Sequence, residues 1–470
     1  MSRLDTPPPS AALTLRRVRP DARRAPAVTT GPLRSTLIWL ALPVLAESIL
    51  NSLVGLVDTW LAGRISAVAT SAVGLASYVG WLASMLAMMV GTGTTALVAR
   101  FVGSGRVSRA NWYMNQSISL SVFVGIASFL ILVTAAPTLA RYSNMTGQAY
   151  DIAVHYLRID AVGNMFLCVL MAGCAALRGA GNMRAPMFLY ALLNAVNIVA
   201  SIYYTFGLDF GVRGIVYGTV TAQIVGAAAL LGMLIRGHAG LTLRRHEMRL
   251  VWAHASRILR IGVPAAADGT IMWANHFVFI AIVTRVMPGI LGQASFAAHV
   301  IAVRVEAFTY LPATAWAAAA ATMIGQALGA GNPKRALRAG HEAVFQCGLL
   351  SVVTAGLFYV FAESVYEQMT IDPLVRAAGV EPFRVLALMQ PLLAAAIVYI
   401  WGMRGAGDTR FPMLISIMGV PIRLTLGYYF GIVLQWGLLG AWMGMFGDMT
   451  WRAYAATRRF LGGKWLTTKV

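Results

Sequence analysis

Ten residues that close one apolar run, Arg178-Gly179-Ala180-Gly181-Asn182-Met183-Arg184-Ala185-Pro186-Met187, return later as Arg404-Gly405-Ala406-Gly407-Asp408-Thr409-Arg410-Phe411-Pro412-Met413. The offset is 404 − 178 = 226. It also carries Gly103 and Gly105 onto Gly329 and Gly331, Arg109-Ala110 onto Arg335-Ala336, and Gly211, Gly214 and Gly218 onto Gly437, Gly440 and Gly444. Near the front of each half the register slips to 264 − 43 = 221, where Pro43 matches Pro264 and Glu47 matches Asp268. A register sustained over both halves means an internal duplication, with a unit far longer than a solenoid repeat. Whatever one half folds into, the other does too.

Each copy holds six long apolar runs. They lie near 36–62, 67–98, 112–137, 152–177, 185–207 and 211–235, then 258–285, 292–326, 341–362, 378–402, 411–433 and 437–457. Each is long enough to cross a hydrocarbon core of about 30 Å as a helix. The 470 residues are 58% hydrophobic and 11% charged, against about 25% charged in a soluble domain. Such a surface needs lipid as solvent. The runs lack the alternation of barrel strands, so they are helices. The expected fold is an all-α polytopic membrane protein: twelve transmembrane helices in two six-helix bundles around a central cavity. Six is even, so both bundles point the same way and are related by a pseudo-two-fold along the membrane normal.

The net charge of +20 raises the question of nucleic acid. The basic residues alternate with span parity instead, as the positive-inside rule requires. Nucleic acid is therefore not an expected partner. Both chain ends are placed in the cytoplasm and the protein in the plasma (inner) membrane. Residues 1–34 read as a disordered cytoplasmic tail, 35–235 as the first bundle, 236–257 as a cytoplasmic linker, 258–460 as the second bundle and 461–470 as a second tail. Leu241, Leu243, Met248, Leu250, Val251 and Trp252 among the linker arginines suggest an interfacial helix. Cys168, Cys174 and Cys347 sit in apolar runs without metal-ligand or disulfide spacing. Neither a metal nor a cofactor is expected. Glu363 and Glu367, in a loop with no partner motif, do not make an enzyme.

In the duplicated motif the glycines, Gly179 with Gly181 and Gly405 with Gly407, follow a helix and supply its left-handed cap. Pro186 and Pro412 fit the first turn of the next helix. Arg178 and Arg404 then stand at a helix C-terminus and at the lipid headgroups, where a cation is favoured twice. A phosphate cradle is the weaker alternative, because no strand precedes the glycines.

These residues resemble the multidrug and toxic compound extrusion (MATE) exporters. The resemblance spans residue 36 to about 460. It rests on Leu42-Pro43 through Gly55-Leu56-Val57-Asp58-Thr59, the Gly103-Ser104-Gly105 and Gly329-Ala330-Gly331 turns, both Arg-Gly-Ala-Gly…Pro motifs, and Ala298-His299 leading to Arg304-Val305-Glu306. It implies two helical bundles that rock to expose a cavity alternately. It implies exchange of protons or sodium ions for small organic, often cationic, compounds. An oligosaccharide flippase of the same superfamily is the alternative, which the acids of spans one and seven disfavour. A monomer in the lipid bilayer is the expected state.

A carboxylate inside the bilayer is expensive and by default functional. Glu47, Asn51 and Asp58 share one narrow helical stripe, so that stripe faces the bundle interior. The resemblance implicates Asp58 in cation coupling; fixing helix packing is the alternative. Asp268 is the repeat partner of Glu47, and Asn275 follows at i+7. His299 and Glu306 share a face and form a possible proton relay, unless Glu306 merely pairs with a base such as Arg423. Asp160 and Asp448 read as structural, Asp448 through Arg452 at i+4. Asn197 is present on the fifth span, yet Ser201 stands where many relatives carry Asp. The tenth span, with Gln390, has no carboxylate in its core. The departure at Ser201 puts in doubt a proton site shared between the first and fifth spans. The resemblance places the acids of sodium-dependent members in the seventh and tenth spans, so the bare tenth span favours protons over sodium. Trp273, Phe277 and Tyr310, together with Trp81, Trp316 and Tyr399, are candidate cavity aromatics for flat cations.

Overall fold

A computed structural model describes residues 28–143 and 145–468. The tail expected at 1–34 lies outside the described residues up to residue 27. Among the described residues the chain forms thirteen α-helices. They are α1 (Leu33–Ile65), α2 (Ala67–Gly103), α3 (Val107–Tyr142), α4 (Gly147–Gly179), α5 (Arg184–Ile202) and α6 (Val212–Arg236). The second half holds α7 (Trp252–Val283), α8 (Gly289–Gly329), α9 (Pro333–Val360), a short α10 (Ala362–Met369), α11 (Pro373–Gly405), α12 (Arg410–Tyr428) and α13 (Gly437–Leu461). Setting α10 aside, this is the six-plus-six arrangement. Ten of the long helices are apolar and long enough to cross a membrane. The other two, α8 and α13, carry the polar residues Arg304, Glu306, Asp448 and Arg452.

Local chemistry sets the helix ends. Asn332 accepts from Arg335 N at 2.9 Å just ahead of Pro333, and Asp372 accepts from Leu374 N at 2.8 Å just ahead of Pro373. In the duplicated motif Gly181 and Gly407 take φ +89° and +92°, the left-handed region that glycine enters without penalty. Asn182 N then reaches Leu177 O and Asp408 N reaches Met403 O, both at 2.9 Å, which closes each helix. The repeat extends to irregular backbone. A π turn at Tyr203–Gly207 ends α5 and another at Tyr429–Val433 ends α12. The non-glycine residues Asp209 (φ 53°) and Gln435 (φ 56°) recur 226 positions apart.

The halves meet through α1, α2, α7 and α8. Helix α1 packs on α8 as α7 packs on α2, and α2 crosses α8. At the end of the bundle that carries the Arg-Gly-x-Gly turns, here the basic end, the cores are interleaved. Leu37, Leu40, Ala41 and Val44 of α1 pack with Ala317, Ala320 and Ile324 of α8 and Phe460 of α13. Reciprocally, Ala255, Ile258 and Ile261 of α7 pack with Leu97 of α2, Met114 of α3 and Leu177 of α4. The 221-residue register relates Leu37 to Ile258 and Leu40 to Ile261. Units drawn at 35–235 and 258–460 thus exchange the first turns of their first helices. Pro43 and Pro264 stand inside those two helices near the ends of the exchanged segments.

Backbones touch at this end. A Cβ on Gly103 would stand 2.0 Å from Gln326 O, and one on Gly329 would stand 2.1 Å from Arg100 O. Thr322 Oγ1 donates to Arg178 O at 3.1 Å, and Gln326 Nε2 donates to Gly179 O at 2.9 Å. The basic end is shut.

The interfacial helix expected in the linker is not there. Residues 237–251 hold one antiparallel bridge, His238 with Leu241, and one 3₁₀ turn, Arg245–Glu247. Carboxamides of α3 satisfy this backbone instead. Asn111 accepts from Thr242 N at 2.6 Å and Asn115 accepts from Arg244 N at 2.9 Å. Gln116 donates to Glu247 O and Arg249 O, at 2.7 and 2.9 Å, and accepts from Val251 N at 2.8 Å. Buried Glu247 accepts from both Asn111 and Asn115, at 2.8 and 3.0 Å. A strand-like segment whose peptide groups are already paired gains nothing from coiling.

Candidate functional site

Along the α1 stripe Glu47 is buried, Asp58 half-buried and Asn51 exposed. Glu47 is 6% exposed and ion-pairs with Arg178 of α4. Asp268 of α7, 4% exposed, ion-pairs with Arg404 of α11. The two pairs are repeat mates. This corrects the placing of Arg178 and Arg404 among headgroups: each guanidinium turns inward onto the acid of its own half. One oxygen of each acid, Glu47 Oε2 and Asp268 Oδ1, stays sealed from solvent without a partner. The first glycine of each motif belongs to the same device. A Cβ on Gly405 would stand 2.3 Å from Ala321 O, and one on Gly179 2.9 Å from Thr95 O. That close approach brings each arginine-bearing helix end against α2 or α8.

Further along α1, Asn51 accepts from Asn194 of α5 at 2.9 Å. Asn197 of α5 is buried and donates to Thr219 of α6 at 3.1 Å. Ser201, fully buried, donates to Ile215 O at 3.3 Å. A Cβ on Gly218 would stand 2.2 Å from Ser201 Oγ, so α5 and α6 approach closely at this point. Asp58 is half-buried, and its Oδ1 has neither solvent nor a hydrogen-bond partner. Its charged neighbour is another acid, Asp160 of α4. Among the described residues no basic side chain pairs with either. Asp58 therefore stands apart from the Glu47–Arg178 pair as an uncompensated carboxyl.

The second half is arranged differently. Asn275 of α7 is 2% exposed, and both of its amide atoms lack partners. His299 of α8 is buried and accepts at Nδ1 from Trp442 Nε1 of α13, at 3.2 Å. Glu306, 6% exposed, sits with Gln390 of α11 and Arg423 of α12 as its electrostatic neighbours. No hydrogen bond joins His299 to Glu306, seven residues apart on α8. Asp448 accepts from Arg452 Nε at 2.7 Å, the i+4 pair read from spacing.

Of the aromatic candidates, Trp273 and Phe277 lie at the seam between halves. Trp273 stacks on Trp81 with centroids 6.3 Å apart, and Phe277 meets Tyr78 edge-on at 5.9 Å. Tyr310 lies one turn beyond Glu306 on α8. Trp316 and Tyr399 do not line a cavity. Trp316 donates to Gln346 at 2.9 Å within the core, and Tyr399 bonds His341 at 3.0 Å while stacking on Phe460.

The MatE family model matches the chain twice, over residues 43–203 and again over 271–429. The chain belongs to the MatE family. The two matches end 429 − 203 = 226 residues apart, which is the repeat itself. Family members are transporters, not enzymes, and this MatE protein is an integral membrane protein. It is 29% identical over 438 residues to the probable multidrug resistance protein NorM of Thermotoga maritima, covering 92% of this chain and 93% of the relative. The uncharacterized transporter YisQ of Bacillus subtilis is 24% identical over 453 residues, with 95% and 97% covered. An outward-facing multidrug resistance MATE family transporter of the MOP superfamily shares its fold, with TM-score 0.86 at 21% identity, over 94% of this chain and 97% of that one. A MOP superfamily transporter from Pyrococcus furiosus is similar at TM-score 0.85 and 21% identity, with the same coverage.

The stripe reading of α1 in this MatE protein missed its arginine partners, although the signal was present. Glu47 recurs as Asp268 at an offset of 221 and Arg178 as Arg404 at an offset of 226, so acid and arginine are both duplicated. Arg423 drew notice only as a possible partner for Glu306. Nothing in the spacing of α12 shows that its guanidinium covers Phe279, with the ring centroid 4.3 Å away.

Proposed function

We propose that this MatE protein is a secondary multidrug exporter that moves small organic compounds, cationic at a basic nitrogen, outward in exchange for protons. The observation that carries this reading is Asp58: a membrane carboxyl with a sealed, unpartnered oxygen and no base to neutralise it. In lipid such a group is held at a cost that a transport cycle can use. A proton arriving from the outer side removes the charge, and with it the desolvation penalty, so the surrounding helices repack and the substrate leaves. Two halves that can separate at one end and close at the other supply the movement. The names of relatives such as NorM support the multidrug reading. By the positive-inside rule the basic end is cytoplasmic, with both termini there, in the plasma membrane. The end that is shut is then the cytoplasmic one.

The test is export from proteoliposomes loaded with a fluorescent organic cation. An imposed proton gradient, acidic on the outer side, drives export; a sodium gradient of equal size drives none. Export that follows sodium and ignores protons overturns the proton assignment.

A further inference from the structure

The linker has an unjoined counterpart. Behind α6 the chain turns at Gly237 (φ 79°), and behind α13 it turns 226 positions later at Gly463 (φ 68°). The same register sets Thr242 against Thr468, and the 221-residue register sets Arg249 against Val28. Side chains hold all four carbonyls. In the linker, Asn115 donates to Thr242 O at 3.1 Å and Gln116 to Arg249 O at 2.9 Å. In the counterpart, Arg100 of α2 donates to Thr468 O at 2.7 Å. Arg335 of α9 donates to Val28 O at 3.0 Å and to Gly31 O at 2.6 Å. The segments behind α13 and ahead of α1 thus stand where a second linker would run.

The two differ in which half holds them. Asn115 and Gln116 both belong to α3, and the first turns of α7 lie in the same core. The linker therefore stays with the first half whatever the seam does. The counterpart straddles the seam. Trp465 is fully buried, stacks on Phe460 with centroids 4.5 Å apart and donates to Phe460 O at 2.8 Å. That fixes the segment behind α13 to the second half, while its Thr468 carbonyl meets Arg100 of the first. On the other arm, Arg335 of the second half holds Val28, and a Cβ on Gly181 of the first half would stand 3.3 Å from Val28 Cγ2. Parting the halves at the basic end breaks both crossings. The Arg100 contact is the stronger, because its donor carries a charge.

We propose that these two segments form a clasp across the basic end. Arg100 is its catch, and Arg335 sets its second arm against Gly181. Both arms let go of the first half before that end opens. The linker is then the hinge and the clasp the latch, although the repeat gives them equivalent places. The proposal takes from the exporter reading only that the basic end opens in turn, not which ion drives it.

Spin labels on Ser108 of α3 and Arg338 of α9, both exposed, report the width of the basic end. Double electron–electron resonance on the full-length protein in proteoliposomes gives the ratio of wide to narrow distances. Arg100→Met raises that ratio about tenfold, the worth of one hydrogen bond from a charged donor. Arg100→Lys, which keeps a charged donor, recovers part of the loss. Arg335→Met frees the second arm and widens the end in the same direction. Gln116→Leu cuts three bonds to the linker and leaves the ratio at its wild-type value. A ratio unchanged in Arg100→Met overturns the clasp, as does an equal rise in Gln116→Leu. The measurement uses neither substrate nor ion gradient. A failed clasp therefore leaves the proton reading standing, and export driven by sodium leaves the clasp standing.

Discussion

Glu47 of α1 holds Arg178 of α4, and the duplication repeats the contact as Asp268 with Arg404. The arginine belongs to the turn motif that marks each half. The motif is therefore a turn that delivers a guanidinium to a fixed acid, and each half keeps its first and fourth spans together through one charge pair. Such a pair is costly to break from one side and cheap to remove whole.

Glu47→Gln is expected to destabilise the protein by about 3 kcal/mol, because it leaves Arg178 without its counter-charge. The double variant Glu47→Leu with Arg178→Met recovers most of that loss. Thermal unfolding in detergent, measured for wild type, single and double variants, gives the comparison. A double variant less stable than Glu47→Gln contradicts the pairing.

At the basic end the closest approach is between backbones. Gly103→Ala puts a methyl 2.0 Å from Gln326 O. Neither backbone can yield by a side-chain rotation, so the seam itself opens, at about 1–3 kcal/mol. Spin labels on exposed Ser104 and Lys334 should move apart in Gly103→Ala relative to wild type, as read by double electron–electron resonance. Gly348→Ala, in α9 with open space around its Cβ, should leave the distance unchanged.

The linker is a fixed part of the first half. Gln116 makes three hydrogen bonds to it. Gln116→Leu leaves those peptide groups unpaired, at about 1–3 kcal/mol for each group stranded away from water. Hydrogen exchange of residues 244–251 should accelerate at least tenfold, about 1.4 kcal/mol of lost protection, while exchange within α9 stays as it was.

The number of spans and their division into repeats were legible because lipid imposes a length and an apolarity that few sequences satisfy by accident. The Arg-Gly-x-Gly caps were legible because a left-handed turn asks for glycine. What escaped depends on which helices are neighbours. Glu47 and Arg178 are 131 positions apart, and no periodicity on either helix names the other. Asn111, Asn115 and Gln116 looked like polar interruptions of a span, and the linker looked amphipathic. Only together do they form a clamp. Exchange of the first turns of α1 and α7 likewise left no mark, since Leu37 and Ile258 are equally apolar whichever core receives them.

The central claim is that Asp58 carries the exchanged proton. Proton entry into proteoliposomes, followed with a trapped pH-sensitive dye as an organic cation leaves, tests it most directly. In the wild type each pulse of substrate export acidifies the lumen. In Asp58→Asn, with protein folded and inserted as in the wild type, substrate-linked acidification should vanish. Acidification that persists at the wild-type rate in Asp58→Asn would contradict the account.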